Sequence, residues 1–497
     1  MSQAELPLLI QGGMGVNVSN WGLARAVSSG GERLGVKSMG VVSGTGIALV
    51  VARRLQEGDI GGHLRNAFDA FPYPEMAERV WDAWYIEGGK REGKPYKPIP
   101  MVNFKLRPDV AELIVCANFV EVWLAKEGHS GPIGINYLEK IQAPRLPEIL
   151  GAMIAGVDVV LMGAGIPHQV PGVLDSFAAY KPASYYLDVE GAESREFAMV
   201  LDPASIVPER FIERLSRPAF FAIASTNVLA QYLSDPRRTT GRVDGFIMEG
   251  PTAGGHNAPP RDRSKFNERG EPVYGEKDVV DLRKMRQLGM PFWVAGSYAH
   301  PEKLVEALAE GATGCQFGSI FALCQESGLR DDLKRETKRL AFSRQLDVVA
   351  DPKSSPSGFP FNVVQLSGTM SDPNVTESRT RICDIGYLRH AYKTDRGTVA
   401  FRCPSEPVDT FVNRGGKIED TVGRQCLCNG LMATVGLGQQ HKWGQEPPIV
   451  TLGRNTDFIH DLIDNEQGCY SAMDALLYLL QEQLQTVGVR AVSKSRV

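Results

Sequence analysis

The chain has 497 residues, 43% hydrophobic and 23% charged, the proportions of a globular protein long enough for two or three domains or one large barrel with additions. A formal net charge of −4 and a pI near 6.1 give no electrostatic case for nucleic-acid binding, and the densest basic stretch, Arg330 to Arg339, alternates in sign as a solvated helix face does. No run reaches the roughly 18 apolar residues of a membrane span, and Met1 to Gly15 lacks the basic and apolar regions of a secretion signal, so a cytoplasmic location and reduced cysteines are expected.

In chain order, eight short apolar runs read as strands. They are Pro7 to Gln11, Arg33 to Gly40, Gly131 to Leu138, Val157 to Gly163, Ala219 to Ser225, Asp244 to Glu249, Pro291 to Gly296 and Ala312 to Ser319. Runs this short and this continuously apolar suit strands buried on both faces. Amphipathic stretches separate them, such as Arg145 to Gly156 and Pro301 to Gly311, the second opening on proline and closing on glycine as helices tend to. Eight alternations point to an α/β protein built on a (β/α)8 TIM barrel, with a doubly wound sheet as the alternative.

Three stretches exceed a minimal barrel. Residues 51–129 form an insertion after the second strand, with a helix expected around "PEMAERVWDAWY". Ala183 to Pro203 alternates like a hairpin. The division expected is a barrel over 1–345 and an extension over 346–497 that packs on or near it, ending in a helix around Ser471 to Leu484 suited to the barrel or to a second subunit.

Ligands of such barrels sit where the strands end. There the chain places "QGGMG" (Gln11 to Gly15), Asn136, "GAGIP" (Gly163 to Pro167), "TAGGHN" (Thr252 to Asn257), "AGSY" (Ala295 to Tyr298) and "QFGS" (Gln316 to Ser319). Glycines after the last two strands free backbone N–H groups for a phosphate, and Ser297 and Ser319 can add hydroxyls. A histidine beside paired glycines, His256, can move a proton near neutral pH, although a tight turn with a surface histidine has the same sequence.

These motifs resemble the nitronate monooxygenase family (2-nitropropane dioxygenase-like), relatives of the flavin-dependent enoyl reductases. "IQGGMG", "PIGIN", "TAGGH" and "VAGSY…GATGCQFGS" follow in that family's order between Leu8 and Glu336. The resemblance implies FMN as cofactor, with Gly13, Met14 and Gly15 against the flavin ring and Asn136 on its pyrimidine side. It puts Gly255, Gly296, Ser297, Gly318 and Ser319 around the phosphate with Gln316 nearby, and makes His256 the catalytic base or anion anchor. It implies a small-molecule substrate oxidised with O2, and leaves open an NAD(P)H-dependent enoyl-thioester reductase or a flavin-binding protein with an occluded site. A barrel that binds a sugar phosphate in place of flavin is the remaining alternative.

The extension matches a long-chain subgroup of that family, and a homodimer is compatible with it. Cys383, Cys403, Cys426 and Cys428 could supply four thiolates to zinc, but no C-x2-C pair is present and no metal is expected. Tyr387, Arg389 and Arg402 are candidates for a lid that selects an anionic or acyl substrate. His168, in "GIPHQVPG", is a further candidate for substrate contact, and Cys315 reads as core packing.

Overall fold

A computed structural model of the chain describes residues 6–212 and 215–486. Eight parallel strands close into a barrel: β1 (Leu9–Gln11), β2 (Ser38–Ser43), β3 (Ile133–Leu138), β4 (Val159–Gly163), β5 (Ala219–Ala224), β6 (Gly245–Glu249), β7 (Phe292–Ala295) and β8 (Gly314–Phe317). Each pairs with its neighbour in sequence, and β8 returns to β1. This is a (β/α)8 TIM barrel. Its interior is filled by alternate strand residues, among them Ile10, Met39, Val41, Leu161, Phe221 and Trp293. The Trp293 ring stacks on Phe221 at 4.6 Å and its Nε1 donates to the Pro7 carbonyl at 2.7 Å, sealing the end where the strands begin.

Seven strands lie within the runs read from sequence, and the second is displaced. Arg33 and Leu34 finish the helix Trp21–Leu34, which stops where Gly35 takes a left-handed φ of 66° and its N–H caps Glu32 and Gly31. The strand begins only at Ser38 and continues through Val41 and Val42, all of it buried. A β-compatible run straddling a helix end was assigned to the strand alone.

Between β2 and β3 lie helices Ile47–Gln56, His63–Asp69, Pro74–Trp84 and Pro108–Lys126. The last is apolar nearly all round, as a helix enclosed by protein should be. It packs between Trp21–Leu34 and Arg145–Ile154 and so occupies the barrel's own helix layer. The three preceding helices and the loop 98–103 are the addition. Ala183–Tyr186 and Ala198–Leu201 pair as an antiparallel hairpin.

The chain after β8 returns across the barrel mouth. Val348–Asp351 and Phe361–Val364 pair with each other, and Phe361–Asn362 also pair with Gly255–His256, so the loop after β6 becomes the edge of a three-stranded sheet. His390–Lys393 and Val399–Arg402 form a second small sheet with Val189–Glu190. Helix Ala472–Leu479, capped by Ser471, lies on Trp21–Leu34, where a Cβ added at Gly30 would stand 2.6 Å from Leu476 Cδ1. Among the described residues no helix is long and apolar enough to cross a membrane.

Candidate active site

The site is built first by strand register. Gln316 on β8 pairs with Ile10 on β1 and Ala295 on β7, and Ala295 pairs with Glu249 on β6, so Gln316 and Glu249 stand at one level at the strand ends. Beyond that level begin the loops "GSY", one residue on, and "GGMG" and "GS", two residues on. The first loop is fixed by Ser19: its hydroxyl accepts from Gln11 Nε2 at 2.8 Å and from the Met14 N–H at 2.9 Å, and donates to the Gly12 carbonyl at 3.0 Å. Gly13 has no space for a side chain, since a Cβ would lie 2.5 Å from Asn136 Cβ.

Around these loops opens a cavity of about 230 Å³, against roughly 10–15 Å³ for one ordered water. Gly13, Met14, Gly15, Asn136, Gly255, His256, Gly296, Ser297, Gln316, Gly318 and Ser319 all line it. The structure therefore brings every residue that the resemblance assigns to cofactor or catalysis to one space, while Gln11, Gly165 to Pro167 and Asn257 lie outside its lining. A Cβ at Gly255 would meet nothing within 4 Å, and one at Gly318 would meet only the Met14 side chain, with Sδ nearest at 3.6 Å. Gly296 and Ser297 both adopt left-handed φ values, 94° and 60°, which turns the chain sharply after β7.

Two polar groups beside this cavity have no hydrogen-bond partner among the described residues. Gln316 Oε1 is enclosed by protein, out of contact with the open space. The Glu249 carboxyl is pushed up to about 7 by desolvation alone. The accessible part of the Glu249 and His256 side chains opens onto the cavity, and protein encloses the rest.

His256 is held by the extension. Its Nε2 bonds to Ser355 Oγ at 2.6 Å, and its ring meets Phe361 edge-on at 4.8 Å. Desolvation, assisted by the positive charge of Lys140, pushes its pKa down to about 3. Without a bound anion the imidazole is therefore held in the neutral form, the form from which a base acts.

Several lining residues carried no recognisable sequence signal. Thr451, Gly453 and Asn455 come from the extension. The Gly255 N–H donates to Thr451 Oγ1 at 2.7 Å and the Gly453 N–H to Ser319 Oγ at 2.8 Å. The short "VTLGRN" stretch (Val450 to Asn455), a strand-like run breaking at glycine, is the only hint the sequence contains.

The two candidate lid arginines are engaged with protein, and Arg389 also lines a second cavity. Arg389 donates to the Gly386 and Val102 carbonyls and to Asn103 Oδ1, and Arg402 to the Arg414 carbonyl and to Glu190. Both guanidinium groups tie segments together. Tyr387 does line the cavity, while His168 lines a neighbouring one and Cys315 is buried in the barrel wall. Cys383, Cys403, Cys426 and Cys428 border one small apolar gap, and among the described residues no three His, Cys, Asp or Glu side chains are arranged to hold a metal.

A second, larger cavity of about 720 Å³ adjoins the first across Leu49, Ile141, Ile385, Tyr387 and Leu388, which line both. It is bounded by the loop 98–102, the hairpin and the extension.

No protein-family model matches the chain, and no curated protein matches it. Similar solved structures include FabK from Thermotoga maritima, at 15% identity and a TM-score of 0.46 over 98% of this chain and 95% of that one. Another is a nitroalkane oxidase from Streptomyces ansochromogenes, at 14% identity and 0.42 over 98% and 99%. A third is the enoyl reductase domain of MlnA from the macrolactin biosynthesis cluster from Bacillus amyloliquefaciens, at 10% and 0.44 over 98% and 98%. Likeness this distant leaves the chemistry to the residues of the site.

Proposed function

We propose that the first cavity binds FMN and that the protein is a flavin-dependent oxidoreductase, oxidising alkyl nitronates with O2. The observation that carries this reading is the convergence of the strand-end residues on one cavity lined by a Glu249 carboxyl that has no partner among the described residues. A ribityl chain, with hydroxyls that both donate and accept, satisfies such a group; an apolar ligand does not. Backbone N–H groups of Gly296, Ser297, Gly318 and Ser319 would hold the phosphate, Asn136 the pyrimidine edge, and Gly13 to Gly15 the ring face. The flavin, when bound, accepts two electrons from the substrate and passes them to O2.

The chain's own part is proton chemistry and exclusion of water. Neutral His256 can take the proton from the carbon α to a nitro group and so form the nitronate in place, the C–H electron pair staying on the substrate. With Nε2 held by Ser355, Nδ1 is the nitrogen left to meet that carbon. Phe361, Tyr387 and Leu452 border the space and keep it apolar.

The adjoining 720 Å³ cavity favours one second reading. A chamber with Ile99, Met101, Val102 and Phe401 in its walls could take the acyl chain of an enoyl thioester, reduced at the expense of NAD(P)H. The separating experiment is stopped-flow absorbance of the FMN-loaded protein without oxygen. Bleaching by nitroethane or its nitronate, lost in His256→Ala, supports the oxidase. Bleaching by NADPH alone, with reoxidation by a crotonyl thioester, supports the reductase.

A further inference from the structure

His256 is one end of a hydrogen-bonded chain that crosses the wall between the two cavities. Its Nε2 lies 2.6 Å from Ser355 Oγ, Ser355 Oγ lies 2.7 Å from Ser357 Oγ, and Lys140 Nζ donates to Ser357 Oγ at 3.3 Å. His256 lines the first cavity, Ser357 and Lys140 the second, and Ser355 is fully buried between them. We propose that Ser355, Ser357 and Lys140 form a proton relay that carries the proton taken by His256 out to the second cavity. The inference rests on His256 being the base of the proposed reaction.

The relay balances. The substrate C–H proton bonds to His256 Nδ1 as Nε2–H passes to Ser355 Oγ. Ser355's own hydroxyl proton passes to Ser357, and Ser357's to the lone pair of a neutral Lys140 amine, which becomes ammonium and faces the second cavity. Both serines end as hydroxyls and His256 as the other neutral tautomer. Carbon's electron pair never enters the chain.

Lys140 is built for the terminal position. Its ammonium sits 2.9 Å from the Phe359 ring centroid, and among the described residues no carboxylate pairs with it. The acids nearby include Glu139, bonded to Tyr185 and Gln142, Asp188 to Gln142, Glu190 to Arg402 and Asp384 to Asn429, with Glu193 exposed at the cavity's edge. His390, on the facing strand, is kept neutral by burial and by the charge of Lys140. Desolvation pushes Lys140 down to about 7, so a neutral amine is available at physiological pH. The serines are held in place by Arg424, whose NH1 donates to the Lys353 and Ser355 carbonyls at 2.8 and 2.6 Å. A purely structural role for Ser355, accepting from the Ser357 N–H at 3.2 Å, is the competing account.

The test compares Lys140→Arg, Lys140→Met and Ser355→Ala with wild type. In wild type kcat should rise with pH through the Lys140 titration near 7. Arginine keeps the charge but cannot accept a proton, so in Lys140→Arg that limb should vanish and kcat fall on the order of 10²-fold. Lys140→Ala should recover rate in added methylamine. Wild-type kcat and pH profile in Lys140→Arg would overturn the relay. A second measurement needs no turnover: 15N NMR titration of His256 in the protein without substrate. Lys140→Met should raise the His256 pKa, and Ser355→Ala should change its tautomer ratio; no change in either overturns the relay. Wild type inert toward nitroalkanes with both NMR responses present would instead remove the oxidase reading and leave the hydrogen-bonded path standing.

Discussion

Replacing Arg145 with methionine should destabilise the protein by roughly 3–5 kcal/mol, the usual cost of removing one partner of a buried ion pair. Arg145 is 1% exposed, its NH1 bonds Glu148 at 2.7 Å, and its NH2 donates to the Leu138 and Ile141 carbonyls at 2.6 and 2.7 Å. It thus holds the turn after β3 on which Lys140 sits. Methionine leaves Glu148, 4% exposed, without a cation and takes a donor from both carbonyls, of which Leu138 keeps the Ile141 N–H at 3.0 Å. Burial already pushes the Glu148 carboxyl up to about 7 against the pull of Arg145, so without that pull it binds a proton still more readily. The sign follows: below about 7 both native states keep the carboxyl protonated, and above it the variant's native state binds more protons than the wild type's, so the Arg145→Met penalty grows as pH rises past about 7. In Arg145→Met/Glu148→Leu the buried carboxyl is gone and only the carbonyls remain, so about 2 kcal/mol should return. Urea unfolding at about pH 6 and about pH 8.5 reads all three quantities. A single-variant loss below about 1 kcal/mol, or a double variant no more stable than the single, would refute the reasoning.

Two glycines of the first cavity should separate packing from cofactor binding. Gly13→Ala drives a Cβ to 2.5 Å from Asn136 and should cost about 1–3 kcal/mol as well as FMN affinity, whereas Gly318→Ala fills only open cavity space and should weaken FMN binding with little change in the melting temperature of the apoprotein. Fluorescence titration of FMN alongside thermal unfolding distinguishes the two; equal melting temperatures would contradict the close contact at Gly13. Arg389→Ala should leave the KM of any substrate unchanged while backbone amides of 98–103 exchange hydrogen faster, because Arg389 bridges that loop to Gly386. A raised KM with unchanged exchange would restore the lid role.

The barrel was legible because its strands are buried on both faces, and such runs as "DVVLMG" and "FFAIA" stay apolar without alternation. The same signal misplaced β2, where "RLGVKSMG" joins a helix end to a strand start. Strand-end glycines were legible for a local reason: each lies within a few residues of its strand. Ser355, Lys140, Thr451 and Gly453 were not, because they reach the site through contacts 99 to 217 residues apart along the chain and carry no local pattern. The partners of Arg389 and Arg402 were not legible, because a sequence cannot show whether a guanidinium meets a ligand or a backbone carbonyl. His256 lines the cavity in the loop after β6, and its low pKa depends on the extension that folds over it.

The central claim is that the strand-end cavity is a flavin site in which His256 serves as base. The visible spectrum of the purified protein, saturated with FMN and followed without oxygen as nitroethane is added, tests it most directly. The expected result is a bound-flavin spectrum that bleaches in wild type and stays oxidised in His256→Ala. A protein that takes up no FMN, or one whose flavin bleaches equally without His256, would contradict it.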